Sequence, residues 1–140
     1  MAKVYQASLR VRFSDLDLYG HVHHAEILKY FEWARMEYLK QAGISFVGLM
    51  ESGIYLVIVS TKVNFHSPAF FDEELVITGL VKEIGTTSVT MIQEIEEKRT
   101  KRGIADAQFT FVFLNQDRQK IPVPKDLLRA FFEESLSPNR

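Results

Sequence analysis

The sequence contains no cysteine. Disulfides, thiolate metal sites, thioredoxin-type chemistry and a cysteine nucleophile are therefore excluded. A reducing compartment agrees with that absence. Charge of one sign is also lacking: 17 Lys and Arg stand against 18 Asp and Glu, a net −1. No single-sign field exists to hold nucleic acid or an acidic membrane surface. The longest uninterrupted apolar stretch, residues 54–59, falls far short of the ~20 residues a spanning helix needs. The first ten residues lack the apolar core of a secretory signal. These absences lead to the expectation of a cytoplasmic protein with no membrane span and no nucleic-acid partner. Three motifs are missing as well. Without G-x-S-x-G a nucleophilic-serine α/β hydrolase is unsupported. Without G-x-x-x-x-G-K or G-x-G-x-x-G, nucleotide hydrolysis and dinucleotide binding are disfavoured.

What is present describes a globular chain. At 140 residues, a single domain over 1–140 is expected. Hydrophobic residues at 46% and charged residues at 25% exclude a disordered or fibrous chain. Residues 4–13 alternate, with Tyr5, Ala7, Leu9, Val11 and Phe13 apolar, a half-buried strand. Residues 14–20 carry two Asp and a Gly and read as a loop. Over 24–42 the period changes. Ile27, Phe31, Ala34, Tyr38 and Ala42 share one helical face, with Tyr30, Trp33 and Met36 making much of the rest apolar. Such a helix, about 28 Å long, suits a sheet that wraps it. Gly43 is placed to end it.

Strands follow at 54–66, 74–83, 86–98 and 104–115, with Pro68, Gly85 and Gly103 in the connections. Pro122 and Pro124 precede a short amphipathic helix over 125–134, with Leu127, Leu128, Phe131 and Phe132 apolar. The order predicts an α+β architecture, an antiparallel five-stranded sheet around one long helix. A sheet face left uncovered points to self-association.

The densest chemistry lies in Ser14-Asp-Leu-Asp-Leu-Tyr-Gly-His-Val-His-His24, with two carboxylates, a glycine and three histidines at the entrance of the long helix. A helix N-terminus offers unpaired N–H groups and a positive dipole end suited to an oxyanion. A carboxylate beside it serves as nucleophile or general base. Asp15 is expected to cap a turn. The residues alone leave Asp17 open between a loop cap and a reactive group. Asp17, His21, His23 and His24 also offer a His/carboxylate set to a metal, but no helical His-x-x-x-His pair exists and His66 is the sole distant candidate. Neither a metal site nor a cofactor is expected.

The pattern Asp15-Leu-Asp17-x-x-Gly20-x-Val22-x-His24, followed by Tyr30-Phe-Glu-Trp-Ala-Arg35, resembles the 4-hydroxybenzoyl-CoA thioesterase family of acyl-CoA thioesterases. A second stretch, Val59-Ser-Thr-Lys-Val-Asn-Phe-His-Ser-Pro68-Ala-Phe-Phe-Asp72-Glu-Glu-Leu75, is similar to that family's second strand and its entry to the next. The resemblance implies the hotdog fold, in which a curved antiparallel sheet wraps a long central helix. It implies hydrolysis of an acyl-CoA to a free carboxylic acid and CoA. It places the catalytic carboxylate at Asp17 and the carbonyl-polarising N–H at His23 or His24, with the His24 side chain assisting. Here His23 and His24 stand where one branch of the family has two Asn, and Ile27 replaces a common aromatic.

Tyr19, Gly20, His23, Ser60 and Thr61 are the expected substrate-binding residues. The last two would act on a strand brought close by a partner subunit. The active site is thus expected at the interface of a homodimer or homotetramer. A non-catalytic acyl or acyl-CoA binder is the alternative, and a hotdog dehydratase is a poorer match. Glu32 is expected to pair with Arg35. Lys98, Arg99, Lys101 and Arg102 form a basic turn that is either a solvated tip or a seat for CoA phosphates.

Overall fold

The structure, a computed structural model, describes residues 3–131. β1 (Tyr5–Arg10) leads through a single 3-10 turn (Phe13–Asp15) and a loop to α1 (His24–Gln41) and α2 (Phe46–Glu51). Then come β2 (Tyr55–Phe65), β3 (Glu74–Ile84), β4 (Ser88–Glu97), β5 (Gly103–Leu114) and α3 (Lys125–Phe131). The strands form one antiparallel sheet in the order β1-β3-β4-β5-β2. This is the expected hotdog arrangement, with a long helix on one face of a five-stranded sheet and a short helix near the C-terminal end.

Alternation decides which face of the sheet receives the helix. Leu75, Ile77 and Val81 of β3, Met91 and Ile95 of β4, and Ala105, Ala107, Phe109, Phe111 and Phe113 of β5 are all buried. They meet Ile27, Phe31, Ala34 and Tyr38 of α1 in one core. Full burial of one such large apolar side chain stabilises by roughly 1.5–3 kcal/mol. The strands bend around α1 at bulges, since Val59 of β2 and Lys82 of β3 have no partner in the register. Gly79 sets the distance of closest approach: a Cβ there would lie 2.6 Å from the Tyr38 ring. The Tyr38 hydroxyl donates to the Ile77 carbonyl at 3.0 Å.

Two expectations need correction, one element was not expected, and one expectation reaches past the described residues. The first strand ends at Arg10, because the Val11 N–H turns to the Glu73 carbonyl and Phe13 is 77% exposed. α2 was not anticipated; its N-cap Ser45 accepts from the Gly48 N–H at 2.9 Å. The Glu32–Arg35 ion pair is absent among the described residues. Arg35 instead lies buried under α1, donates to Gln93 Oε1 at 3.0 Å and stacks over Phe109 at 4.3 Å. Burial lowers its pKa to about 10. Of the helix expected over 125–134, residues 132–134 lie outside the described residues.

β2 is one of the sheet's two edge strands, opposite β1, and every one of its 11 residues is exposed or half-buried. Ile58, Val59 and Phe65 are 42%, 57% and 53% exposed along it.

Candidate active site

The loop before α1 is a miniature hairpin. Leu16 bridges Val22, the Asp17 N–H donates to the His21 carbonyl at 2.9 Å, and the Gly20 N–H returns to the Asp17 carbonyl at 3.1 Å. Gly20 has φ +84° with open space around its Cα. The turn needs glycine for its backbone conformation and not for room. Asp17 Oδ1 accepts from the Tyr19 N–H at 2.9 Å, and Oδ2 lies 4.0 Å from His21 Nδ1. Its side chain keeps 24% of its surface open.

Asp15 does more than cap a turn. It is 3% exposed and accepts from the Tyr30 hydroxyl of α1 at 2.6 Å and from Arg12 Nη2 at 3.2 Å. Burial pushes this carboxyl up, but the hydrogen bonds from Tyr30 and Arg12 outweigh it and hold the group below its ordinary range. Tyr30 is raised in turn by burial and by Asp15. The pair pins the loop to the helix it feeds.

The first turn of α1 accounts for almost all its donors. The N-cap His23 gives its N–H to the Asp15 carbonyl at 3.0 Å, and its Nδ1 accepts from the Ala25 N–H at 3.0 Å. The Glu26 and Ile27 N–H groups both reach the His23 carbonyl, at 2.9 and 3.2 Å. Among the described residues only the His24 N–H of this turn has no acceptor. The His23 N–H is thus occupied within the loop, and the His24 N–H is the free one. The His24 ring stacks on His23 at 4.4 Å and meets Phe65 edge-on at 6.5 Å.

Asp17 and His24 come together in an open cleft of about 470 Å³, lined also by His21, Ile27, Phe65 and His66. Tyr19 stands 85% exposed and stacks on His21 at 6.0 Å. Ser60 and Thr61 pair with Thr110 and Phe109 on β5, so their side chains take opposite faces of the sheet. Neither lines the cleft of this chain. Among the described residues no cluster of three or more His, Cys, Asp or Glu suits a metal ion.

The basic turn divides. Arg102 is a clasp: it reaches Glu73 at 2.8 Å and the Pro68 carbonyl at 3.0 Å, and lies over Phe70. Lys98 pairs with Glu74 at 3.3 Å. No ion pair holds Arg99 or Lys101 among the described residues. Beneath the turn, Glu97 accepts from Thr100 and from the Arg99 and Thr100 N–H groups, which lower it to about 2. His66, considered in the sequence as a remote ligand alone, is a cleft residue. Its position two residues before Pro68 was the signal available.

A protein-family model described as the thioesterase-like superfamily matches residues 11–131. The chain belongs to this superfamily, the hotdog-fold acyl-CoA thioesterases that its loop and helix resemble. Among curated proteins it is 30% identical over 129 residues to the long-chain acyl-CoA thioesterase FadM of Escherichia coli, covering 92% of this chain and 97% of that one. It is 37% identical over 86 residues to the acyl-CoA thioesterase YbgC of Helicobacter pylori, covering 61% and 62%. Among solved structures, a 1,4-dihydroxy-2-naphthoyl-CoA thioesterase from Synechocystis superposes with a TM-score of 0.87 at 21% identity, over 91% of this chain and 95% of that one.

Proposed function

We propose that this protein hydrolyses acyl-CoA thioesters, with Asp17 and the His24 N–H as the reactive pair. The observation that carries the reading is the one unoccupied N–H of the α1 first turn, on a residue that shares its cleft with a partly exposed carboxylate. The thioester oxygen binds at the His24 N–H, where the helix dipole favours growing negative charge. Asp17 attacks the carbonyl carbon or activates water against it. The thiolate of CoA leaves without a strong acid. The names of the FadM and YbgC relatives support an acyl-CoA substrate.

The reading extends to the neighbours of the pair. The His24 imidazole assists through its side chain. Tyr19, Gly20 and His23 form the rim that meets the substrate. A second copy of the chain covers the free edge of β2, which supports a homodimer or a tetramer of dimers: an 11-residue edge with exposed Ile58, Val59 and Phe65 is a template for strand pairing. That copy brings Ser60 and Thr61 to the acyl group. The protein works in the cytoplasm and needs no cofactor.

Thiol release from a panel of aliphatic and aromatic acyl-CoAs tests the function. Release with at least one of them is expected. Tight binding without release would make the chain an acyl-CoA binder instead. Light scattering that shows only monomer at micromolar concentration would remove the second copy.

A further inference from the structure

His66 lines the cleft and has no role in this scheme. His66 follows the last residue of β2 and is fixed there, with its N–H on the Ile104 carbonyl at 2.8 Å. Its Nε2 lies 2.5 Å from Asp106 Oδ2, and the other carboxylate oxygen accepts from Asn64 Nδ2 at 3.0 Å. Those hydrogen bonds, from His66 first and Asn64 next, hold Asp106 below its ordinary range. Asp106 is thus an acceptor only, and Nε2 must carry the hydrogen. Nδ1 is then the basic nitrogen, with no partner among the described residues. This is the geometry of a base whose ring is oriented by a carboxylate. The adjacent Ser67 is no nucleophile for it, because its hydroxyl donates to the Gly103 carbonyl at 2.6 Å.

We infer that His66 is a second catalytic residue of this cleft, the base that deprotonates the hydrolytic water, with Asp106 and Asn64 as positioning residues. The inference rests on the thioesterase reading and commits it to a covalent route. In the first half, an Asp17 oxygen bonds to the acyl carbon, the carbon–sulfur bond breaks, and CoA leaves as thiolate. In the second, water attacks the acyl carbon of the mixed anhydride while His66 Nδ1 takes one of its protons. The bond from acyl carbon to Asp17 oxygen breaks and the carboxylate is restored. The proton on His66 passes to the thiolate through solvent. Thioester and water have become carboxylic acid and thiol, with nothing oxidised or reduced. Asp17 and His66 divide the work, one for each half, and the His24 N–H serves both.

Rapid mixing of His66→Gln with excess acyl-CoA tests this. The imidazole is half exposed, with 50% of its side-chain surface open, so the variant is expected to melt at the wild-type temperature. Expected is a burst of one thiol per active site, then steady release at least about a hundredfold below wild type. The intact mass should rise by one acyl group during that phase. Asp106→Asn should show the same burst with a smaller loss, and added imidazole should speed His66→Gly. A His66→Gln variant that turns over like wild type overturns the inference. So does slowed turnover with neither burst nor acyl adduct, which is the result if Asp17 acts on water directly. Failure of the thioesterase reading looks different, since wild type itself would then release no thiol.

Discussion

Asp15 is 3% exposed and held by a tyrosine and an arginine, whereas Asp17, two residues on, touches one backbone N–H and keeps 24% of its side-chain surface open. The first faces the core side of the loop and the second faces the cleft. A buried carboxylate with both oxygens tied to donors is committed to holding structure. A carboxylate with open lone pairs beside a free helix N–H is available to a substrate. On the proposed reading, the loop separates anchoring from chemistry within one turn, and the anchored half makes the reactive half precise. Asp15 gives its carbonyl to the His23 N–H and leaves the His24 N–H without an acceptor among the described residues.

The largest effect should come from Asp17→Asn. The amide is nearly isosteric and keeps the acceptor for the Tyr19 N–H, so folding and substrate binding should survive. It is neither nucleophile nor base, and turnover should fall by roughly 10²–10⁴. KM should change little, since the lost interaction belongs to the transition state. Steady-state thiol release beside a melting curve separates the two effects. A large drop in melting temperature with normal turnover per folded protein would move Asp17 to the structural side of the comparison.

His24→Ala should cost less, about tenfold to a hundredfold in turnover, at or below the low end for acid–base groups. The backbone N–H survives the substitution and only the imidazole goes. Turnover as low as in Asp17→Asn, in a protein that still folds, would make the side chain and not the N–H the central group.

Much of this was legible in the chain. The long helix showed in the spacing of Ile27, Phe31, Ala34 and Tyr38, and the strands in alternation and turn glycines, because those periods reflect burial on one face. The pattern from Asp15 to His24 pointed to Asp17 and His24 by resemblance, and the fold brings both to one cleft. Partners distant in sequence were not legible. Tyr30 is 15 residues from Asp15, and Gln93 is 58 from Arg35. Only the folded sheet brings Gln93 under the helix, where it replaces Glu32 as the arginine's partner. α2 escaped because six residues with a glycine inside give no period to read, although Ser45 was available as a cap. The division of the first-turn N–H groups depends on the loop's path, and no motif records that path.

Asp15→Asn should act on stability. The amide presents donors toward Arg12 and weakens the bond to Tyr30, at a cost of about 1–3 kcal/mol for a buried, charge-assisted partner. Turnover per folded molecule should stay within a few-fold of wild type, with the melting temperature lowered. Loss of turnover by orders of magnitude at an unchanged melting temperature would exchange the roles of the two carboxylates.

Acid should resolve the structural side further, with the smallest effect. Asp15 is lowered from an unfolded value near 3.8, so its contribution is present above that pH and fades as pH falls through its lower folded value. Glu97 behaves alike, from 4.5 down to about 2. Both contributions are complete at neutral pH and are lost on acidification, so wild type should lose stability from about pH 4.5 to about pH 2. Asp15→Asn has already lost its share, and Glu97→Gln has lost the other. The stability gap between wild type and each variant should therefore narrow as pH falls through that window. Urea unfolding at a series of pH values measures the gap. Parallel curves for wild type and Asp15→Asn would mean that the Asp15 charge contributes nothing to folding. The loop would then be pinned by the Tyr30 hydroxyl and the His23 N–H alone.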